Sequence, residues 1–260
     1  MGESGEGQNT THSQKKITDE SLLEFRDRFR IPLEDDAVLA CQFFHPGDDS
    51  PEVRYLKERR TALGGSLPAR ADKAPTHPAP DLSLFQSQLE GSGDREISTT
   101  MAFVRLLTAL TRDKMLGRYV VPIVPDESRT FGMEGMFRQL GIYAPEGQLY
   151  LPEDADQLMY YREDIKGQVL QEGITEAGAM SSWIAAATAY SNHGIAMIPF
   201  YIFYSMFGLQ RVGDLAWAAG DQQARGFLIG GTAGRTTLAG EGLQHQDGHS
   251  LLMAASIPNC

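Results

Sequence analysis

The sequence predicts an α/β domain: a mainly parallel sheet with helices on both faces, three layers in all, preceded by an extension of loops and short helices. Three observations carry this. Apolar runs recur at 119–124, 196–204 and 227–229, each short enough for a buried strand. Helical patterns precede and separate them, at 98–115, 177–189 and 210–223. Polar clusters fall at the carboxyl ends of the runs, where parallel sheets of this kind place their ligands.

Taken in order, residues 1–16 are polar, glycine-rich and without periodicity, which predicts a loop carrying His12, Lys15 and Lys16. A histidine in such a segment is by itself a solvated side chain. Residues 19–29 form an amphipathic helix with Leu22, Phe25, Arg26 and Phe29 on one face and Thr18 or Asp19 as cap. Pro32, Pro46 and Pro51 mark 31–51 as loop, and a charged helix over 52–64 stops at Gly64 and Gly65. Pro68, Pro75, Pro78 and Pro80 make an extended connector, so a domain boundary is expected near 75/76.

Beyond the connector, the 98–115 helix places Phe103, Leu106, Leu107 and Leu110 on one side. The run 119–124 is a strand that delivers Asp126, Glu127 and Arg129 at its end. Residues 150–166, with Tyr160 and Tyr161, are loop and turn. The segment 171–176 leads into the apolar 177–189 helix, which contains Trp183 and Ile184. Glu176 there has two readings: a solvated first-turn residue favoured by the helix dipole, or a carboxylate carried under an apolar face, where burial makes it useful to chemistry. The 196–204 strand ends at Tyr204 and Phe207, and the third strand opens a glycine-rich stretch, 230–242. Residues 251–256 are a helix or the approach to a further strand.

Composition narrows the function. With 42% hydrophobic and 22% charged residues, the chain is an ordinary globular protein. A net charge of -11 argues against a nucleic-acid surface and against an anionic membrane surface. The longest apolar run, 195–209, is shorter than a membrane span and contains Pro199. Two distant cysteines, Cys41 and Cys260, form neither a disulfide framework nor a zinc site, which makes a reducing cytoplasm the default. His245 and His249 are four apart but lack the H-E-x-x-H pattern, so no metal site is read in this chain. Gly226, Gly230, Gly231, Gly234, Gly240 and Gly242 form neither a P-loop nor a dinucleotide fingerprint and read as turns and close backbone approaches. A carboxylate in an apolar pocket, an aromatic face and several histidines suit proton transfer on a flat heterocycle. The residues alone reach no further than a polar site at strand ends.

Longer motifs carry a resemblance. PIVPDESRTFGMEG (122–135), QEGITE (171–176), PFYIFYSMFG (199–208), DQQARGFLIGG (221–231), GEGLQHQDGH (240–249) and GEGQNTTH (5–12) with Lys15 and Lys16 together resemble the homodimeric E1 component of bacterial pyruvate dehydrogenase, over essentially the whole chain. The resemblance implies a thiamine-diphosphate-binding fold. Residues 1–75 would be the tail of the diphosphate-binding domain with a mobile active-site loop, and 76–260 the pyrimidine-binding, transketolase-like middle domain.

It also implies roles. Glu176 matches the glutamate that hydrogen-bonds the pyrimidine N1′ and favours the imino tautomer, whose 4′ nitrogen takes the thiazolium C2 proton. Ile174 matches the apolar prop of the bent cofactor, and Phe207 the ring near the pyrimidine. Asp126 and Glu127 match acidic members of the hydrogen-bond network. Tyr204, Glu241 and His245 match polar residues on the substrate side, and His12 a histidine on a loop that closes over the intermediate and assists acetyl transfer. The implied reaction is decarboxylation of pyruvate and reductive acetylation of the lipoyl domain of the E2 dihydrolipoyl acetyltransferase. The implied partners are that E2 and a second E1 subunit.

One departure is large. The family holds the diphosphate and Mg2+ through a Gly-Asp-Gly segment and a downstream Asn; this chain has no Gly-Asp-Gly, and the family's C-terminal domain has no counterpart. The expectation is an internal piece of such a subunit, inactive by itself. A different transketolase-superfamily enzyme would share Glu176 but not the His12 loop or the 126–129 run. A non-catalytic assembly module of the same fold would have no reason to keep Glu176, Tyr204, His245 and His12 together.

Overall fold

The computed structural model describes residues 5–67, 74–125, 128–157, 160–232, 242 and 245–260. The chain divides into two compact units, Met1–Ala69 and Arg70–Cys260.

The first unit is helical. After a 3-10 turn at Asn9–Ser13 comes α1 (Asp19–Phe29), started by Thr18, whose side chain accepts the Ser21 N–H, and ended by Arg30 in the left-handed region at φ 51°. Residues 31–51 are not all loop: α2 (Asp35–Leu39) lies within them. Its five residues and its N-cap Glu34, which makes no side-chain bond, leave little local signal. Tertiary contacts hold it instead, for the Arg26 guanidinium bonds the Leu33 carbonyl at 2.8 Å and Asp35 at 2.9 Å. α3 (Pro51–Ala62) starts with proline in its first turn, where the missing N–H costs nothing, behind a Ser50 cap.

The second unit is the predicted three-layer α/β domain. α4 (Gln86–Leu89) and α5 (Thr99–Thr111) precede β1 (Val120–Val124), and α6 (Glu134–Leu140) follows it. Then come β2 (Ile142–Tyr143), β3 (Glu163–Asp164), β4 (Leu170–Gln171), α7 (Glu176–Ala187), α8 (Ala189–Asn192), β5 (Ile198–Tyr204), α9 (Leu209–Asp221), β6 (Phe227–Gly231) and α10 (Ser250–Ala254). The main sheet has the order β4-β1-β5-β6, and every pairing in it is parallel.

The strands expected from the apolar runs are present. β1 pairs with β5 from Val120↔Ile198 to Ile123↔Tyr201, and β5 with β6 from Phe200↔Phe227 to Tyr204↔Gly231. Alternate side chains serve opposite faces. Ile123, Tyr201 and Phe203 pack under α7 and α9, with Met180, Trp183, Val212 and Ala216. Val120, Val124, Phe200 and Ile202 pack against α5 and the start of α6, with Val104, Leu107, Phe131 and Met136. Trp183 also donates its Nε1–H to the Pro199 carbonyl at 3.3 Å, which ties α7 to the start of β5.

Several elements differ from expectation. The first long helix ends at Thr111, not 115, because the Asp113 carboxylate takes the Met115 and Leu116 amides, each at 2.8 Å, and turns the chain. α4 and α6 carry no side-chain cap that would announce them. β3 lies in the stretch read as loop, and β4 is a fourth strand of the main sheet. β4 pairs with β1 at only two positions, Ile123↔Leu170 and Val124↔Gln171, too few for any periodicity. Residues 251–256 resolve to helix, as α10.

Candidate functional site

All four strands of the main sheet run the same way, so their ends share one edge. β4 ends at Gln171, and the next amide, Glu172 N–H, still bonds the Val124 carbonyl at 3.0 Å. The chain then turns through Gly173 at φ 77° and enters α7. Thr175 caps that helix, its side chain accepting the Gly178 N–H at 3.2 Å. Glu176 is therefore the first helical residue, on the carboxyl edge of the sheet.

Glu176 lies in the first turn of α7 with its side chain 12% exposed. Its carboxylate receives a hydrogen bond from Arg211 Nη1 at 2.7 Å. The same guanidinium lies 4.2 Å from the centre of the Phe207 ring. One planar cation thus bridges the carboxylate and the aromatic face. The Tyr201 hydroxyl donates to the Glu176 carbonyl at 3.4 Å. Burial, followed by the charge of Glu176, pushes the Tyr201 phenol above its usual value and keeps it protonated.

Beside this pair stands a group of rings. Tyr204, the last residue of β5, lies 5.3 Å from Phe131, 5.9 Å from Phe207 and 5.2 Å from His245. Phe207 and His245 are themselves 5.4 Å apart. Phe131, fully buried, fits against the end of β6 because residue 231 is glycine; a Cβ there would approach its ring to 2.6 Å.

The segment after His245 is fastened to the same edge. Asp247 is buried and accepts from the Ser205 hydroxyl and from the amides of His249 (3.0 Å) and Ser250 (3.1 Å). Burial raises its carboxyl pKa, but the bonds from the Ser205 hydroxyl and the His249 and Ser250 amides outweigh burial and hold it well below the usual carboxylate range.

The structure therefore brings Glu176, Phe207, Tyr204 and His245 to one edge, with Arg211 linking the first two. Ile174 is on that edge with its side chain 80% exposed. Asp126, Glu127 and Glu241 lie outside the described residues. His12 is exposed on the 3-10 turn of the first unit. Arg211, Asp247 and Phe131 were not singled out by sequence reasoning. The four-residue spacing of Phe207 and Arg211 is a usable signal for a cation over a ring. Asp247 just before a short apolar helix is a usable signal for a local cap. Among the described residues no group of three or more His, Cys, Asp or Glu is placed to hold a metal ion, and no helix is long and apolar enough to cross a membrane.

Comparison with known proteins agrees in one direction. Residues 77–260 match the family "Pyruvate dehydrogenase E1 component middle domain". The chain is 64% identical over 257 residues to the pyruvate dehydrogenase E1 component of Pseudomonas aeruginosa, 99% of this chain and 29% of that protein. It is 59% identical over 261 residues to the E1 component of Cupriavidus necator and 53% identical over 261 residues to that of Escherichia coli K12, in each case 100% of this chain and 29% of the relative. It thus spans less than a third of the length of these relatives. The chain belongs to the pyruvate dehydrogenase E1 component family.

Proposed function

We propose that this chain supplies the pyrimidine-holding part of a thiamine-diphosphate site in a longer E1 subunit that decarboxylates pyruvate and acetylates the lipoyl domain of E2. One observation carries the reading: a largely buried carboxylate, Glu176, sits at the carboxyl edge of a parallel sheet within reach of an aromatic face. The residue types at this edge suit the cofactor's pyrimidine. Arg211 already presents to Glu176 and Phe207 a flat group bearing N–H donors, the two features an aminopyrimidine would use there.

Thiamine diphosphate bound there would supply a nucleophilic thiazolium carbon and a sink for the electron pair left by loss of carbon dioxide from pyruvate. Glu176 would hold the pyrimidine N1′ by a charge-assisted hydrogen bond and set its protonation. Phe207 would cover one face of the ring, and Ile174 would support the cofactor from the loop before α7. Tyr204 and His245, in contact with each other, would line the substrate side together with Glu241. Asp126 and Glu127 would join the network at the end of β1. His12 would act from a loop of the diphosphate-binding part, to which residues 1–75 are assigned, with 76–260 as the pyrimidine-binding domain. The diphosphate and Mg2+ would be held by a part of the subunit carrying a Gly-Asp-Gly segment. A second E1 subunit would complete the site, in the cytoplasm.

The test is Glu176→Gln in the whole subunit. It removes the charge and keeps the shape, and exchange of the cofactor's C2 proton should slow by on the order of 10²-fold or more. Unchanged exchange would sink the role given to Glu176. The 260-residue chain with thiamine diphosphate, Mg2+ and pyruvate should show no turnover; robust decarboxylation would refute the division of the site between segments.

A further inference from the structure

We propose that Asp247 is a positioning residue: it pins the segment 245–250 to the end of β5 and so holds the His245 ring against Tyr204 and Phe207. This rests on the reading of His245 as a substrate-side group and adds the device that places it.

The argument begins with Ser205. It follows Tyr204 directly, precedes Phe207 by two residues, and is buried. Its hydroxyl donates to the Asp247 carboxylate. The return bond is also present, because the Ser250 hydroxyl donates to the Ser205 carbonyl at 3.2 Å. Two links thus join the end of β5 to the segment that carries His245, across more than forty residues of sequence. Residue 230 in the adjoining strand is glycine, and a Cβ there would stand 3.0 Å from the Ser205 Oγ. β6 leaves that hydroxyl room to face Asp247.

The carboxylate itself is occupied by the protein. One oxygen takes the amides of His249 and Ser250, and the other takes the Ser205 hydroxyl. A buried carboxylate with three donors is a structural anchor, since its lone pairs are directed at its own chain. His245 lies two residues before it, with its ring 5.2 Å from Tyr204 and 5.4 Å from Phe207. The carboxylate thus fastens, two residues on, the segment on which the His245 ring meets Tyr204 and Phe207. The four groups lie on one short path, from Tyr204 through Ser205 and Asp247 to His245. A shift of about 1 Å in a reacting group costs on the order of 10²-fold in rate, so such an anchor matters to chemistry it does not touch.

The experiment compares Asp247→Ala, Asp247→Asn, Ser205→Ala and His245→Ala, and the Asp247→Ala/His245→Ala double variant, in the whole subunit. Two quantities are read: kcat for pyruvate, and the rate at which diethyl pyrocarbonate modifies His245, mapped by mass spectrometry with His249 followed alongside. Asp247→Ala should lower kcat by on the order of 10- to 100-fold and speed modification of His245. Asp247→Asn, which can still accept both amides and pair with Ser205, should restore most of both. Ser205→Ala, a milder change that keeps the amide bonds, should fall between and covers the case in which Asp247→Ala does not fold. In the double variant, kcat should be no lower than in His245→Ala alone.

Unchanged kcat and unchanged His245 modification in both Asp247→Ala and Ser205→Ala would overturn the proposal. Fully additive losses in the double variant would also overturn it, because Asp247 would then act through another group. A His245→Ala subunit with full activity would instead remove the role assigned to His245, while the modification rates still decide whether Asp247 holds its ring.

Discussion

Glu176 is carried on a twelve-residue helix whose first turn is fixed by a threonine cap. His245 is carried on a segment held by a buried carboxylate and a pair of crossed hydroxyl bonds. The helix backbone sets the place of Glu176, and a charged partner, Arg211, is 48% exposed and approaches from solvent. His245 makes a backbone bond to the Gly242 carbonyl at 3.0 Å, and its segment is tied to the sheet by side-chain bonds between residues distant in sequence. The contrast separates two ways of fixing a polar group: a helix makes its position cheap and leaves its partner exchangeable, whereas a loop needs a dedicated, desolvated anchor. An exchangeable partner suits a carboxylate that must later receive a ligand.

The contrast can be broken at its stronger end first. Asp247→Ala should destabilise the chain by about 3 kcal/mol in urea unfolding, because Ser205 and two amides lose a buried acceptor at once. Acid is the gentler form of the same break. The folded pKa of Asp247 lies below that of the unfolded chain, about 3.9, so its stabilisation is complete above that pH and fades as pH falls toward the folded value. The melting-temperature advantage of the wild type over Asp247→Asn should therefore hold from pH 6 to about pH 4 and shrink below it, and an advantage that grows on acidification would contradict the anchor. On the helix side, Thr175→Ala removes the cap and should cost about 1 kcal/mol, seen as a small drop in Tm. Arg211→Gln should be the mildest, within about 1 kcal/mol, since a half-exposed ion pair contributes little. An Arg211→Gln loss equal to that of Asp247→Ala would erase the distinction between the two ends of the site.

The parts legible in the sequence are those whose cause is local or long. β1 and β5 announce themselves because strands covered on both faces are apolar without interruption. α1, α5 and α7 follow from caps at Thr18, Ser98 and Thr175. β4 could not be read, because two residues become a strand only through β1 beside them. α6 begins after Met133, whose side chain caps nothing. At the site, periodicity left Glu176 with two fates, and the choice between them depends on Arg211, thirty-five residues on. Asp247 lies between His245 and His249, and that spacing gives no sign of an anchor to β5. Two of its donors, the His249 and Ser250 amides, are close in sequence, but Ser205 becomes a neighbour only on folding.

β4 has a further effect, on how the sheet meets other chains. It is one lateral limit of the sheet, and it offers an incoming strand only two residues of backbone. The approach is narrowed again at Val169, which bridges to Ile142 of the small β2–β3 sheet, with Tyr143 N–H bonding the Val169 carbonyl at 2.8 Å. An edge that short and partly covered is a poor template for strand-by-strand growth. The feature hardest to see in the sequence thus also makes this side of the sheet a poor partner for strand pairing, whereas β6, the other outer strand among the described residues, presents five residues.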